Sequence, residues 1–156
     1  MIEVVSTRIR QWRAAWLGLA CALALHVADE AFTGFLPVYN GIIRGVRGSH
    51  SWVPFPVFTF PVWLGGLVLG VVLLFGLTPL VSRGRRWIRI ASVVLAVIMV
   101  GNALGHLGGS LYLGRAAPGV YSSPFLLAAA IALLVTALRA RHSGEFDGAR
   151  QADEAD

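Results

Sequence analysis

The chain has 156 residues, of which 56% are hydrophobic and only 13% are charged, and its mean hydropathy is +0.71. Soluble domains carry about 25% charged residues, so this composition excludes an ordinary water-soluble domain. The net charge of +5 would suggest nucleic acid as the partner of a soluble protein. Here the arginines flank apolar stretches, so we expect no nucleic-acid partner.

Four stretches of the chain contain no Asp, Glu, Lys or Arg, and each is close to the roughly 20 apolar residues that span a bilayer. They are residues 14–28, 48–82, 90–114 and 116–138. The sequence therefore predicts an all-α fold, an integral membrane bundle of four transmembrane helices within residues 1–138.

The first predicted helix covers about residues 11–30 and follows three arginines. A basic start, an apolar stretch and the small residues Ala22-Leu23-Ala24 also fit a secretory signal peptide, which would leave a mature chain beginning at Leu25. We favour a retained helix, because cleavage would discard the span that pairs best with the third one.

Residues 31–60 are predicted to form an extended or re-entrant outer loop. The prolines between residues 54 and 61 remove backbone donors and disfavour helix in the residues before them. The second helix is therefore placed at about residues 61–80, with Pro61 in its first turn. Half of the sixteen aromatic residues lie between Phe32 and Trp63. They form either a cap that binds an apolar substrate or an interfacial aromatic belt.

The third helix is predicted at about residues 87–111 and the fourth at about residues 118–138. Residues 139–156 are predicted to be a disordered cytoplasmic tail. Ten arginines lie before the first helix, between the second and third and after the fourth, against three in the other two connections. This asymmetry predicts that both termini are cytoplasmic. The use of Arg without any Lys is typical of a GC-rich bacterium, so the expected location is a bacterial plasma membrane.

Ionisable side chains are rare inside the predicted spans: the only carboxylates and histidines there are Asp29, Glu30, His26 and His106. His26, Asp29 and Glu30 stand at i, i+3 and i+4, so one face of the first helix presents an imidazole and two carboxylates. Such residues are costly in a bilayer and by default indicate a functional site.

The third span carries a matching pair, Asn102 and His106. Counted from the tryptophan near the start of each helix, His26 and Glu30 follow by 14 and 18 residues, and Asn102 and His106 by 15 and 19. Because an α-helix rises 1.5 Å per residue, the two pairs reach nearly the same depth, and we expect them to face one interior cavity. A stripe of glycines beside them predicts close approach of another helix. It consists of Gly101, Gly105, Gly108 and Gly109.

Two kinds of chemistry fit these residues. In the first, His26, Glu30 and His106 supply the two-histidine, one-carboxylate set of catalytic zinc or non-haem iron, and the cofactor is one divalent metal. Without a metal, Asp29 beside Glu30 gives a base next to an acid, and the histidines carry protons. Asn102 or Tyr121 would then polarise the substrate. The structural alternative is that the carboxylates lie at the membrane interface and that Asn102 and His106 only hydrogen-bond across helices.

Three short motifs follow one another along the membrane region. They are His26-Val-Ala-Asp29-Glu30, Asn102-Ala-Leu-Gly-His106 and Ala116-Ala-Pro118-Gly119. They resemble the HxxEE, NxxxH and YxPG motifs of the HXXEE-motif family of small bacterial multi-pass membrane proteins. Asp29 stands where the family has Glu, and Ala116 where it has Tyr. The resemblance implies a multi-pass membrane fold and no particular function, since that family is functionally uncharacterised.

The sequence therefore predicts a membrane-embedded enzyme that acts on a membrane lipid or another lipophilic small molecule, by isomerisation, cyclisation, hydrolysis or hydration. Its predicted site residues are His26, Asp29, Glu30, Asn102, His106 and Tyr121, with His26, Glu30 and His106 as the metal ligands. The alternative is a small proton-coupled transporter or membrane binding subunit that uses the same carboxylates.

Overall fold

The computed structural model describes the backbone of residues 2–50, 52 and 54–153, and the side chains of residues 6–50, 52 and 54–140. Within those residues it contains no strand and five helices: α1 Ile2–Thr33, α2 Phe35–Ser49, α3 Phe60–Ser82, α4 Arg86–Leu113 and α5 Ser123–Asp153. Four stretches are long and apolar enough to cross a membrane: Ser6–Thr33, Phe60–Ser82, Arg86–Leu113 and Ser123–Ala140. The predicted all-α bundle of four transmembrane helices is confirmed.

The loop predicted for residues 31–60 is wrong over residues 35–49, which form α2. Gly34, at φ 76°, ends α1 and turns the chain into α2. Pro37 is compatible with this helix because it lies in the first turn, where a backbone N–H has no helical partner to lose. One face of α2 is buried at i, i+4 and i+7, through Leu36, Asn40 and Ile43. That spacing makes α2 an amphipathic helix that packs on the bundle.

Three other helix boundaries differ from the sequence prediction: α1 begins at Ile2 instead of about residue 11, and both ends of α5 differ. α3 begins beside Pro61 as predicted, but α5 begins at Ser123 instead of residue 118. The reason is that residues 114–122 form turns, in which Gly114 and Gly119 have positive φ. At its other end α5 runs to Asp153 and so overlaps the predicted disordered tail, residues 139–156. Residues 154–156 of that tail lie outside the described residues.

The spanning helices run in alternate directions. At one end, here called the arginine end, Arg8 Nη1 donates to the carbonyl of Arg139 at 3.3 Å. Gly84, in the turn between α3 and α4, packs there against Ile9. At the opposite end, here called the site end, the N–H of Gly119 donates to Thr33 Oγ1 at 3.1 Å. α1 and α4 therefore run parallel, as was assumed when residues were counted from the tryptophan near the start of each helix.

The helices pack in the order α3, α1, α5, α4. α1 and α4 are connected mainly by long side chains, because α5 lies between their backbones along much of the bundle. Trp12 Nε1 donates to Ser92 Oγ on α4 at 3.2 Å. Trp16 Nε1 donates to the carbonyl of Leu74 on α3 at 2.8 Å. Both indoles are buried, so each has a partner for its N–H inside the apolar core.

The predicted close approach of a helix to the glycines of α4 is wrong for the described residues. A methyl group placed on Gly101, Gly105, Gly108 or Gly109 would meet no atom within 4 Å. Alanines are buried between these helices instead: Ala96 and Ala103 of α4 and Ala130 and Ala137 of α5 are fully buried members of one core cluster. Alanine also permits close helix approach and loses less conformational entropy on folding than glycine does.

Candidate functional site

A buried cluster of His26, Glu30 and His106, here called the His–Glu–His cluster, lies at the site end between α1 and α4. The three residues are 1%, 5% and 8% exposed. Glu30 Oε1 is 3.6 Å from His26 Nε2 and 3.1 Å from His106 Nε2. One ligand atom from each residue lies within 4.8 Å of the other two. The i, i+4 spacing on α1 and the parallel α4 bring these groups together, as the sequence predicted.

A hydrogen-bonded chain fixes the ring of His26. The hydroxyl of Ser122 donates to Asp29 Oδ2 at 2.7 Å, and the backbone N–H of Ser122 donates to the same oxygen at 2.8 Å. Because that hydroxyl hydrogen is engaged by the carboxylate, Ser122 Oγ accepts from His26 Nδ1 at 2.8 Å. The proton on Nδ1 leaves Nε2 of a neutral His26 with a lone pair that faces Glu30.

The ring of His106 is fixed by the backbone instead. Its Nδ1 donates to the carbonyl of Pro118 at 2.6 Å, and a carbonyl can only accept. Nε2 of a neutral His106 therefore also carries a lone pair directed at Glu30. Both histidines are thus held by Nδ1 and present Nε2, which is how outer partners orient metal-binding imidazoles.

Gly119 closes the site from the turn before α5. A methyl group at this position would lie 2.8 Å from Cε1 of His106 and 3.1 Å from Cγ of Glu30. Its φ of 82° is also one that side-chain-bearing residues rarely adopt. Only glycine fits here, because both the backbone conformation and the close approach to the cluster exclude a Cβ.

Asp29 is partly buried and both of the contacts of its Oδ2 go to Ser122. It therefore acts on the cluster through Ser122 and His26, and its predicted role as a base stays a prediction. Tyr121 is 67% exposed and makes no hydrogen bond to any described residue. Its predicted role in polarising a substrate has no contact to support it.

Asn102, which was predicted to share one cavity with the cluster, instead lines an apolar pocket of about 430 Å³ between α2, α3 and α4 that the three cluster residues do not line. Its Oδ1 is buried and has no hydrogen-bond partner among the described residues. Phe35 connects the pocket to the cluster, since its ring centroid is 5.2 Å from that of His106. The other side chains that line the pocket are Tyr39, Phe58, Val62, Trp63 and Leu67.

The aromatic segment contributes both to the lining of the pocket and to the exposed surface. Tyr39 and Phe58 stack at 6.0 Å between centroids beside the pocket. Asn40 holds α2 to the segment before α3, because its side chain donates to the carbonyl of Phe58 at 2.9 Å and accepts from the N–H of Phe58 at 3.1 Å. Other aromatics point outward, as in an interfacial belt: Phe32, Trp52, Phe55 and Phe60 are 91%, 78%, 58% and 49% exposed.

Sequence reasoning missed Ser122 and Asn40 as site residues, and it singled out Gly119 only as part of a motif. Ser122-Ser123-Pro124 is a helix-start signal, and it would have placed Ser122 at the beginning of α5 beside the cluster. A Pro-Gly pair such as Pro118-Gly119 indicates a tight turn but does not say what the turn contacts. Asn40 offers no signal of its own, since its partner Phe58 depends on the fold of α2.

The cluster has the composition of a three-ligand metal site. With metal–ligand bonds of about 2.0–2.1 Å, tetrahedral ligands stand about 3.3 Å apart. The 3.1 and 3.6 Å between Glu30 and the two histidines are close to this value, whereas the three ligand atoms as a group are within 4.8 Å of one another. A group of this kind could hold a metal ion. Comparison with known protein families, characterised proteins and solved structures gives no match to this chain.

Proposed function

We propose that the protein is a membrane-embedded, metal-dependent enzyme that acts on a lipophilic small molecule. His26, Glu30 and His106 would hold one divalent metal, zinc or iron, and leave a coordination position open to water or substrate. The metal would supply a Lewis acid and an activated water. Hydrolysis or hydration uses both properties most directly, and isomerisation or cyclisation uses the first.

The observation that carries this proposal is the unpartnered Nε2 of His26, which is buried and faces Glu30. A buried carboxylate with two imidazole lone pairs directed at it needs a cation. One proton on Nε2 of His106 would satisfy Glu30 at 3.1 Å and leave His26 without a partner. A metal ion uses all three atoms, and it therefore fits the cluster better than a proton does.

The lipophilic substrate is supported by the apolar pocket. Its volume of about 430 Å³ lies in the range of small-molecule sites, about 300–1,000 Å³. Phe35 separates the pocket from His106 by a single ring, so a substrate in the pocket would reach the cluster after a small movement of that ring. The free carboxamide of Asn102 would then bind the polar group of the substrate.

Metal-free acid and base chemistry is the second candidate. The 3.1 Å between Glu30 Oε1 and His106 Nε2 is a hydrogen-bond distance, so these two groups are placed to share a proton. A transporter fits the described core less well. Below the cluster the bundle interior is filled by apolar side chains such as Leu19, Leu126 and Leu133, all at most 1% exposed.

The three motif segments that carry the family resemblance lie close together in the fold. They meet at the site: His26 and Glu30 from the first, His106 from the second, and Pro118 and Gly119 from the third. We therefore assign the chain to the HXXEE-motif family as part of this proposal, in a bacterial plasma membrane with both termini cytoplasmic. Reporter fusions at residue 156 and within residues 40–50 should report opposite compartments, and a shared compartment would overturn the orientation.

Elemental analysis of the purified full chain tests the proposed function. Wild type should carry about one zinc or iron per chain, and His26→Ala and His106→Ala should carry none. Glu30→Gln should bind the metal much more weakly, because a neutral amide is a poorer ligand than a carboxylate. His50→Ala is the matched control, since His50 is exposed and remote from the cluster in sequence. If purified wild type carries no metal and Glu30→Gln nevertheless abolishes turnover, the acid and base candidate is favoured instead.

A further inference from the structure

A second cavity lies at the arginine end, far from the His–Glu–His cluster. It has a volume of about 340 Å³ and lies between α4 and α5. Arg86 and Arg89 stand at the start of α4, and the remaining lining is apolar. That apolar part includes Ile90, Val94, Ala137 and Leu138. Two arginines and an apolar wall therefore line one cavity.

The described side chains provide no carboxylate for these arginines. Asp29 and Glu30 are the only acidic residues among them, and both lie at the site end. Ile9, which contacts the turn just before α4, is 21 residues from Glu30, or about 30 Å along the helix. Charges are screened over about 8 Å at physiological ionic strength. The cavity thus combines two positive charges with an apolar wall and no described anion.

The depth of these residues matches the parts of a lipid. Arg86 is the first residue of α4, at the level where a spanning helix leaves the hydrocarbon and meets headgroups. Val94 is eight residues further on, about 12 Å deeper in the bilayer if α4 is upright. A phosphate at the arginines would therefore place an acyl chain along Ile90 and Val94.

We infer that this cavity binds one anionic phospholipid. The two guanidinium groups bind its phosphate, because their planar donor forks match phosphate oxygens, and one acyl chain lies in the apolar part of the cavity between α4 and α5. The lipid would hold these helices together at the arginine end. This inference does not depend on the function of the His–Glu–His cluster.

The test compares two double variants of the full chain in a neutral detergent. Arg86→Gln with Arg89→Gln removes the cavity cations, and Arg83→Gln with Arg85→Gln removes two charges from the same turn outside the cavity lining. Native mass spectrometry measures binding of phosphatidylglycerol and of phosphatidylcholine with the same acyl chains. Wild type and the control should prefer phosphatidylglycerol. The cavity variant should bind it about thirtyfold more weakly, as expected for two juxtamembrane arginines.

Several results would overturn the inference. An equal loss of phosphatidylglycerol binding in both double variants would mean that the lipid responds only to the total charge of the protein. Thermal stabilisation of wild type by inorganic phosphate to the same extent as by phosphatidylglycerol would mean a phosphate site without an acyl chain. Lipid binding that begins only after the five carboxylates of residues 141–156 are neutralised would mean that the chain's own tail occupies the cavity.

A third double variant, Arg86→Lys with Arg89→Lys, is the control for a folding defect in the cavity variant. This variant keeps both charges and loses the planar fork, so it should fold as wild type does and bind phosphatidylglycerol with intermediate affinity. If it binds phosphatidylglycerol as weakly as phosphatidylcholine while its helix content is unchanged, two positive charges at this cavity do not produce a preference for the anionic lipid, and the inference fails.

Discussion

Two layers of buried polar side chains bridge α1 and α4, and they differ in whether their hydrogen bonds are complete. Near the arginine end, Trp12 donates to Ser92 Oγ at 3.2 Å, and Ser92 in turn donates to the carbonyl of Ile88 at 2.8 Å. At the site end, the outer nitrogens of the histidines have partners, but Nε2 of His26 has none. The first layer is satisfied by the protein alone, and the second is not.

This difference motivates the proposal that the second layer has a function beyond holding helices together. A buried polar atom without a partner costs about 1–3 kcal/mol, so a fold has no reason to keep one unless it has a use. The Trp12–Ser92 layer uses every donor it contains and only holds helices together. In the His–Glu–His cluster, Nε2 of each histidine lies beside Glu30 Oε1, and the contacts of Nδ1 with Ser122 and Pro118 hold both rings in place.

The largest expected effect comes from adding a single methyl group at Gly119. Gly119→Ala should abolish stoichiometric metal, because its Cβ would lie 2.8 Å from the His106 ring. Gly114→Ala is the matched control: Gly114 also has a positive φ, 61°, but a methyl there meets nothing within 4 Å. The control should lower stability by about 1–2 kcal/mol and keep its metal. Metal content and thermal unfolding measure both variants, and equal metal in the two would contradict the described site.

A smaller effect is expected from Ser122→Ala, which removes the group that orients His26. Loss of such an outer partner typically weakens metal affinity by about 10–100-fold. Ser123→Ala is the control, since Ser123 is equally buried and its hydroxyl donates to the carbonyl of Gly119 at 2.7 Å without contacting His26. Metal titration should show weakened binding in the first variant only. Unchanged affinity in Ser122→Ala would mean that helix packing alone orients His26.

In the Trp12–Ser92 layer, Trp12→Phe should lower the free energy of unfolding by about 1 kcal/mol, since it removes the hydrogen bond to Ser92 and keeps most of the ring packing. Metal content should not change, because the layer lies far from the cluster. Thermal unfolding and elemental analysis measure the two effects. Loss of metal in Trp12→Phe would show that the two layers are coupled.

The smallest effect is expected at Asn102, whose Oδ1 is buried without a partner. Asn102→Leu has nearly the same shape and should leave stability unchanged or raise it by up to about 1 kcal/mol, because no hydrogen bond is lost. Thermal unfolding checks this directly. A clear destabilisation would mean that Asn102 holds the fold and not a ligand.

The predictions from sequence succeeded where one helix or one composition rule was sufficient. Charge-free stretches located the four spans, and i, i+4 spacing put His26 and Glu30 on one face. The prediction failed for α2 because the aromatic and proline content of residues 31–60 obscured an amphipathic pattern of three residues. It also chose glycines for the contact of α4, where the structure uses alanines.

The sequence alone determined that this is a four-span bundle and which ionisable residues enter it, because hydrophobicity and helical period are local properties of a chain. Only the tertiary structure decided which nitrogen of each histidine is free. That depends on Ser122 and Pro118, which lie 96 and 12 residues away from the histidines they contact. The tertiary structure also decided that Gly119 must lack a side chain, because the atoms that exclude a Cβ come from α1 and α4 and meet only when both helices are in place.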